Sequence, residues 1–388
     1  MIRDRITARG ATWPPSDPAS NVVQPGTIHL EGRTYIALGL NDYLGLASDP
    51  RVIAAAQAAL TTFGAGARAS RHIGGDTSVH RELEEELADL KSTESSLLFA
   101  SGYAANVGTV SALPGRGDTV CSDELNHASI IDGARLSGAE VRVYRHCDVE
   151  DLGRQLDQAT GAGLIVTDSV FSMNGDLAAV DEIADLADEH DAMLVLDDAH
   201  ATGVIGSGGK GSSGHYRRAD RADVIVGTLG KALGSVGAFA AGSAEVIGYL
   251  SEVSRTFLFT TAPSPVAAAA ALEALRIMRS EPERVDRLWE NAATINASLS
   301  QLGFSVPETV HPITPVMIGD DAKARTAETT LIDNGILARA ILPPYVPPNT
   351  SRIRLIASAV HTDEQMERVL TAFEEVARHL NPSAQGEI

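Results

Sequence analysis

A chain of 388 residues, 44% hydrophobic and 21% charged, has the composition of a soluble globular protein and is long enough for two domains or one large α/β unit. Its 51 acidic residues against 31 Lys and Arg leave a formal charge of −20, which would repel a phosphate backbone and excludes nucleic acid as a partner. The apolar runs are too short to span a bilayer, the opening Met1-Ile-Arg-Asp-Arg-Ile6 lacks the apolar stretch of a secretory signal, and Cys121 and Cys147 form no disulfide framework, so a cytoplasmic protein with free thiols and no membrane contact is expected.

Residues 1–40, rich in Pro and polar side chains, read as an arm ending in a short strand at Tyr35-Ile-Ala-Leu38. Apolar strands and helices then alternate. Strands are expected at Ser96–Ala100, Thr119–Ser122, Val141–Tyr144, Leu164–Thr167, Met193–Leu196, Val224–Gly227 and Ala238–Ala241. Helices are expected between most of them, including Ser78–Leu90, where Leu83, Leu87 and Leu90 recur at helical spacing, and Asp181–His190. This alternation predicts a mostly parallel seven-stranded sheet with helices on both faces. From about residue 265 the pattern changes. A long Ala-rich helix, Pro265–Arg279, leads into a smaller α+β region with strands near Pro315–Ile318 and Arg352–Ile356, and a last helix opens on the capping box Thr362/Gln365. The expected division is an arm (1–40), a large ligand-binding domain (41–270) and a small C-terminal domain (271–388).

Ligands of open parallel sheets sit beyond the carboxyl ends of the strands, and the unusual residues of this chain gather there. After the first strand comes Ser101-Gly102-Tyr103-Ala-Ala-Asn106, a small-residue turn into a helix, suited to an anion and equally to an ordinary strand-to-helix turn. The next loop carries His127, a flat ring able to stack on an aromatic ligand or simply to cap a helix. Asp168 and Asp197 end apolar strands, where a carboxylate is costly without a partner such as a protonated ring nitrogen; a capping role for Asp197 is the alternative. His200 follows within the Asp197-Asp-Ala-His200 run. Lysine is scarce, with only Lys91, Lys210, Lys231 and Lys323 present. Of these, Lys231 alone follows a buried strand and sits among glycines, in Thr228-Leu-Gly-Lys231-Ala-Leu-Gly234. Sheltering lowers the proton affinity of an amine, and a neutral amine attacks aldehydes. A phosphate cradle, a stacking ring, an acid for a ring nitrogen and a shielded lysine together are what pyridoxal 5′-phosphate (PLP) requires.

In this order, Asn41–Leu46, Ser101–Asn106, Asn126–Ser129, Val170–Gly175, Asp197–His200 and Thr228–Gly234 resemble the α-oxoamine synthase family of PLP enzymes, which have the fold-type I, aminotransferase-like architecture. The resemblance covers most of the chain, from Asn41 to Arg354. It implies that Lys231 carries the cofactor and moves the Cα proton. By the same resemblance, Asp197 pairs with the ring nitrogen, His200 contacts the ring hydroxyl, and His127 stacks on the ring. Gly102, Tyr103 and Thr228 match phosphate-binding positions, Ser172 a ring contact, and Asp168 an acid near the cofactor. Asn41 and Arg354 match groups that hold the substrate carboxylate, and Thr261 a position reaching the phosphate of a partner subunit. No metal is implied.

The family joins an amino acid to an acyl thioester, carried by coenzyme A or acyl-carrier protein, with loss of CO2, in homodimers that share their sites. Leu342-Pro-Pro-Tyr-Val-Pro-Pro-Asn-Thr-Ser-Arg-Ile-Arg354 resembles the members that use L-alanine and a pimeloyl thioester in biotin synthesis, and Ser70 leaves room there for the methyl of alanine. The runs around Asp197 and Lys231 also resemble members that use glycine and an acetyl thioester. Transamination on the same fold and a non-catalytic binding role are the other readings. Asn174 departs from the family, which more often has aspartate before Gly175.

Overall fold

The structure is a computed structural model that describes residues 24–308 and 310–380; the first 23 residues of the expected arm lie outside them. A hairpin comes first, β1 (Thr27–Leu30) pairing with β2 (Arg33–Ala37). The central sheet is built from β3 (Ser95–Phe99), β4 (Thr119–Asp123), β5 (Glu140–Tyr144), β6 (Gly163–Asp168), β7 (Met193–Asp197), β8 (Val224–Thr228) and β9 (Ala238–Gly242). These are the seven strands read from the sequence, most of them extended by a residue at one end. Their order is β3-β9-β8-β7-β6-β4-β5, and β9 alone runs against its neighbours.

The strands are apolar throughout because both faces are covered. Alternate residues face opposite ways. Leu164, Val166 and Val195 pack on one side, with helices Gly102–Val110 and Ala128–Ser137. Ile165, Leu194 and Leu196 pack on the other, with helices Val149–Leu156 and Val180–Glu189.

The shift near residue 265 is a continuous helix, Pro265–Ser280, with the Ser264 side chain accepting from Val266 N at its start. Beyond it lie β10 (Ile313–Gly319), β11 (Ile336–Leu337), β12 (Arg339–Ile341) and β13 (Ser351–Ile356). β13 is central in an antiparallel sheet of order β10-β13-β12. The capping box forms: Thr362 N donates to Gln365 Oε1 at 3.0 Å and Gln365 N to Thr362 Oγ1 at 3.2 Å, opening helix Asp363–Leu380.

The end of the expected arm is not a free extension. β2 pairs in parallel with β11, and Ile28, Tyr35 and Ala37 pack against Ile332 and Leu337. Among the described residues no helix is long and apolar enough to cross a membrane.

Candidate active site

The six strands that share a direction end on one rim, and five of them, β3, β4, β6, β7 and β8, end in or lead into the residues of the site. At the end of β7, Asp197 is buried; its Oδ2 accepts from Asn106 Nδ2 at 2.5 Å and its Oδ1 from Ala199 N at 2.8 Å. In the parallel register Asp168 of β6 lies directly beside it. Asp168 accepts from His127 N at 2.8 Å. Burial first, and then the neighbouring Asp197 charge, push its carboxyl well above the usual range. Two adjacent buried carboxyls make a seat for a cation.

Lys231 follows β8. Its amine makes no hydrogen bond or ion pair among the described residues. Burial lowers its pKa from 10.5 to about 8, although Asp197 and Asp168 pull the other way. Gly234 lets the loop close, because at its φ of +59° a methyl would meet the Ala47 backbone nitrogen at 2.3 Å.

Lys91, the last residue of helix Ser78–Lys91, is the more deeply buried lysine. A hydrogen bond of 2.6 Å ties it to Asp198, and another of 2.7 Å to the Lys210 carbonyl. A lysine committed to a carboxylate is no nucleophile. Lys231 has no such tie.

His200 is buried beside Tyr43, whose hydroxyl lies 2.8 Å from its Nδ1. Burial first, then the charges of Lys231 and Arg354, hold His200 well below its usual pKa, so the ring is neutral. Burial also raises the Tyr43 phenol, which therefore keeps its proton and donates it. Nδ1 of His200 is thus the acceptor, and the ring proton resides on Nε2. His311 supports the pair, packing edge-on to Tyr43 at 5.6 Å and hydrogen-bonding the His200 carbonyl from Nε2 at 2.9 Å.

Helix Gly102–Val110 begins after β3 with Ser101 Oγ capping Ala104 N. The Gly102 and Tyr103 amides at its start have no helical partner. A methyl on Gly102 would stand 3.9 Å from Thr228 Oγ1, so the glycine leaves a gap facing that hydroxyl. The Tyr103 phenol is committed elsewhere, to Asp132. The His127 ring is exposed at the rim, with its Nδ1 2.7 Å from Ser129 Oγ.

Arg354, on β13, donates from Nε to the Ser172 carbonyl at 2.6 Å, which leaves its two Nη groups without hydrogen-bond partners among the described residues. Asn41 lines a cavity of about 520 Å3 with Asp42 and Gly230; its Oδ1 is buried and has no partner. Ser70 and Thr261 lie on segments joined by Ala262 N to the Ala69 carbonyl at 2.9 Å, and Thr261 is exposed.

Four contributors were not singled out from the sequence. Asn106 and Tyr43 lay inside quoted motifs without a role. Asn126, whose Oδ1 accepts from Asp168 N at 2.9 Å, also lay inside a quoted motif, and His311 carried no local signal, because its partner is 111 residues away.

The arrangement fits PLP. A carboxylate pair faces the position for a ring cation, a neutral imidazole offers an N–H, an untied amine stands beside them, and amides and a hydroxyl frame a gap of the kind a phosphate occupies. A family model for class I and II aminotransferases matches residues 33–373, and the chain belongs to that family of PLP-dependent enzymes. It is 45% identical to 8-amino-7-oxononanoate synthase of Symbiobacterium thermophilum over 90% of both chains. It is 48% identical to the enzyme of the same name from Anaeromyxobacter dehalogenans, over 95% of this chain and 92% of that one. The solved structure of serine palmitoyltransferase from S. paucimobilis, which holds PLP, superposes with a TM-score of 0.90 at 33% identity, covering 98% and 97% of the two chains.

Proposed function

We propose that the chain joins L-alanine to a pimeloyl thioester, releasing CO2 and the thiol carrier, as its relatives named 8-amino-7-oxononanoate synthase do. The reading rests on their 42–48% identity over most of the chain, combined with the convergence of Lys231, Asp197, Asp168 and His200 on one rim. Bound there, PLP supplies an electron sink for a carbanion at the amino-acid Cα. The protein does the rest. Arg354 takes the substrate carboxylate between its free Nη groups. Lys231, part neutral near pH 8, holds the cofactor and accepts the Cα proton. Asp197 would keep the ring nitrogen protonated, His200 would donate from Nε2 to the ring hydroxyl, and His127 would stack on the ring. The Gly102 and Tyr103 amides with Thr228 would hold the phosphate, Ser172 would contact the ring, and Asn41 would help Arg354 hold the substrate carboxylate.

The test is a matrix of L-alanine, glycine and L-serine against pimeloyl, acetyl and palmitoyl thioesters, on coenzyme A and on acyl-carrier protein. Thiol release and product mass should select L-alanine with pimeloyl. Selection of glycine with acetyl, or amino transfer without thiol release, would replace the reading.

Tyr43 acts as a positioning residue. Tyr43→Phe should lower kcat about tenfold, the scale of one hydrogen bond, with little change in KM for alanine. It should also shift the pH titration of the bound cofactor's absorbance. An unshifted titration would remove Tyr43 from this role.

The working form is a homodimer. Ile73, Val236 and Phe259 are large apolar side chains left 82%, 66% and 73% exposed, and Ile73 and Phe259 flank the Ser70 and Thr261 segments. A partner covering them would bring Thr261 to the neighbouring phosphate. Sedimentation should show a dimer at assay concentrations; an active monomer would contradict the proposal.

A further inference from the structure

The two carboxyls at the rim reach the same histidine by separate routes. Asp168 accepts the His127 backbone amide at 2.8 Å. Asp197 reaches the His127 ring through two buried side chains. Asn106 donates one Nδ2 proton to Asp197 Oδ2 at 2.5 Å and the other to Ser129 Oγ at 2.9 Å, and Ser129 Oγ lies 2.7 Å from His127 Nδ1. Asn106 belongs to helix Gly102–Val110 and Ser129 to helix Ala128–Ser137, so the relay crosses from the end of β7 over two helices to the loop after β4.

The protons along this relay have one consistent arrangement. The Ser129 backbone N–H is aimed at His127 Nδ1 at 3.3 Å, so that nitrogen is an acceptor and the ring proton sits on Nε2. Ser129 Oγ therefore donates to Nδ1 and takes the Asn106 proton on a lone pair. Turning the Asn106 amide over would set its carbonyl against the Asp197 carboxylate. The donors thus run outward from Asn106, toward the acid on one side and the ring on the other.

Packing alone does not call for an asparagine here. Its Oδ1 is buried without a hydrogen-bond partner, while Ala105, Val107 and Val110 of the same helix are buried and apolar. An apolar side chain in its place would leave no polar atom unpaired. The relay surfaces only at the His127 ring, which is exposed at the rim and whose Nε2 makes no hydrogen bond among the described residues.

We infer that Asn106 and Ser129 are positioning residues for the cofactor ring, tying His127 to Asp197 so that the stacking imidazole is held as its neutral Nε2–H form while the acid faces the ring nitrogen. That nitrogen works as a cation, and an imidazolium laid on the same ring would repel it. A ring whose Nδ1 is filled by a hydroxyl proton does not. The inference rests on PLP binding and not on the acyl substrate, so the thioester matrix can fail without touching it.

The experiment titrates PLP into the apoproteins of wild type, Ser129→Ala, His127→Ala and the double variant, and reads the dissociation constant from visible absorbance. Ser129→Ala keeps the backbone N–H and should weaken binding about three- to tenfold, the scale of one hydrogen bond. In the His127→Ala background the same substitution should change it by less than about twofold, because a residue acting through the ring has no effect once the ring is gone. Asn106→Ala should weaken binding by about tenfold or more in both backgrounds, because its other proton holds Asp197. Equal losses from Ser129→Ala in the two backgrounds, or no loss in the first, overturn the inference. Histidine-selective nitrogen NMR of the wild-type apoprotein, assigned with His127→Ala, needs no relay variant to fold. It should show His127 Nδ1 unprotonated and the proton on Nε2, and a proton on Nδ1 of the neutral ring overturns the inference. If the wild type takes up no PLP, the cofactor assignment fails instead, and the spectra still decide the relay.

Discussion

Lys231→Ala is expected to fold and to lose turnover by roughly a thousandfold or more, the combined scale of a covalent tether and a proton acceptor. No other lysine can substitute. Lys91 is locked to Asp198, and Lys210 donates to Ser92 Oγ at 3.2 Å. Lys323 starts a helix of the small sheet's neighbourhood, well outside the rim. The variant should also lose the visible absorbance of a lysine-held cofactor, while the Tm of its apoprotein stays at or above that of the wild-type apoprotein. The sign follows from linkage. The folded pKa of Lys231 lies near 8, below its value of 10.5, so at lower pH the charged amine is harder to accommodate folded than unfolded. Removing it lifts that penalty below pH 8 and changes nothing above the unfolded pKa. The same shift predicts that cofactor loading of the apoprotein speeds up as pH rises through about 8, because the neutral amine is the reactive form. Multiple turnover by Lys231→Ala would sink the assignment.

Asp197→Asn lowers kcat by about 100- to 1000-fold, the scale of one preorganised charge against a charge in the transition state. Asp168→Asn, by contrast, costs less than about tenfold, as expected for loss of a supporting hydrogen bond. The two acids stand side by side, but their partners differ. Asp197 is gripped by the Asn106 amide and its own turn, a geometry that fixes where its charge points. Asp168 accepts the His127 backbone amide and positions that ring. Its carboxyl is raised partly by the Asp197 charge, so neutralising Asp197 should bring the Asp168 pKa down. Steady-state kinetics of the two variants side by side decide the matter, and equal losses would contradict the division of labour.

The central sheet was legible because each strand is a short apolar run bounded by turn residues, a signal that needs no knowledge of partners. The rim residues were legible for a related reason, since a charge placed right after such a run stands out. What escaped depends on contacts between distant segments. β1 is four residues long and has no apolar alternation strong enough to separate it from the preceding Pro-rich stretch. The β2–β11 pairing joins segments 300 residues apart. Lys91 looked like one more charge on a polar helix, because its partner Asp198 is 107 residues away. Tyr43, His200 and His311 come from three separate parts of the chain, and only the folded arrangement shows that they pack edge-on and hydrogen-bond one another.

The consecutive acids at the end of β7 look in opposite directions. Asp197 faces the rim. Asp198 turns inward, where Lys91, Ser169 and Ser212 saturate its oxygens. Two neighbouring residues thus divide anchorage and chemistry. Substitutions at Lys91, Ser169 or Ser212 can therefore cost stability while leaving the rim acid in place, and substitutions at Asp197 the reverse.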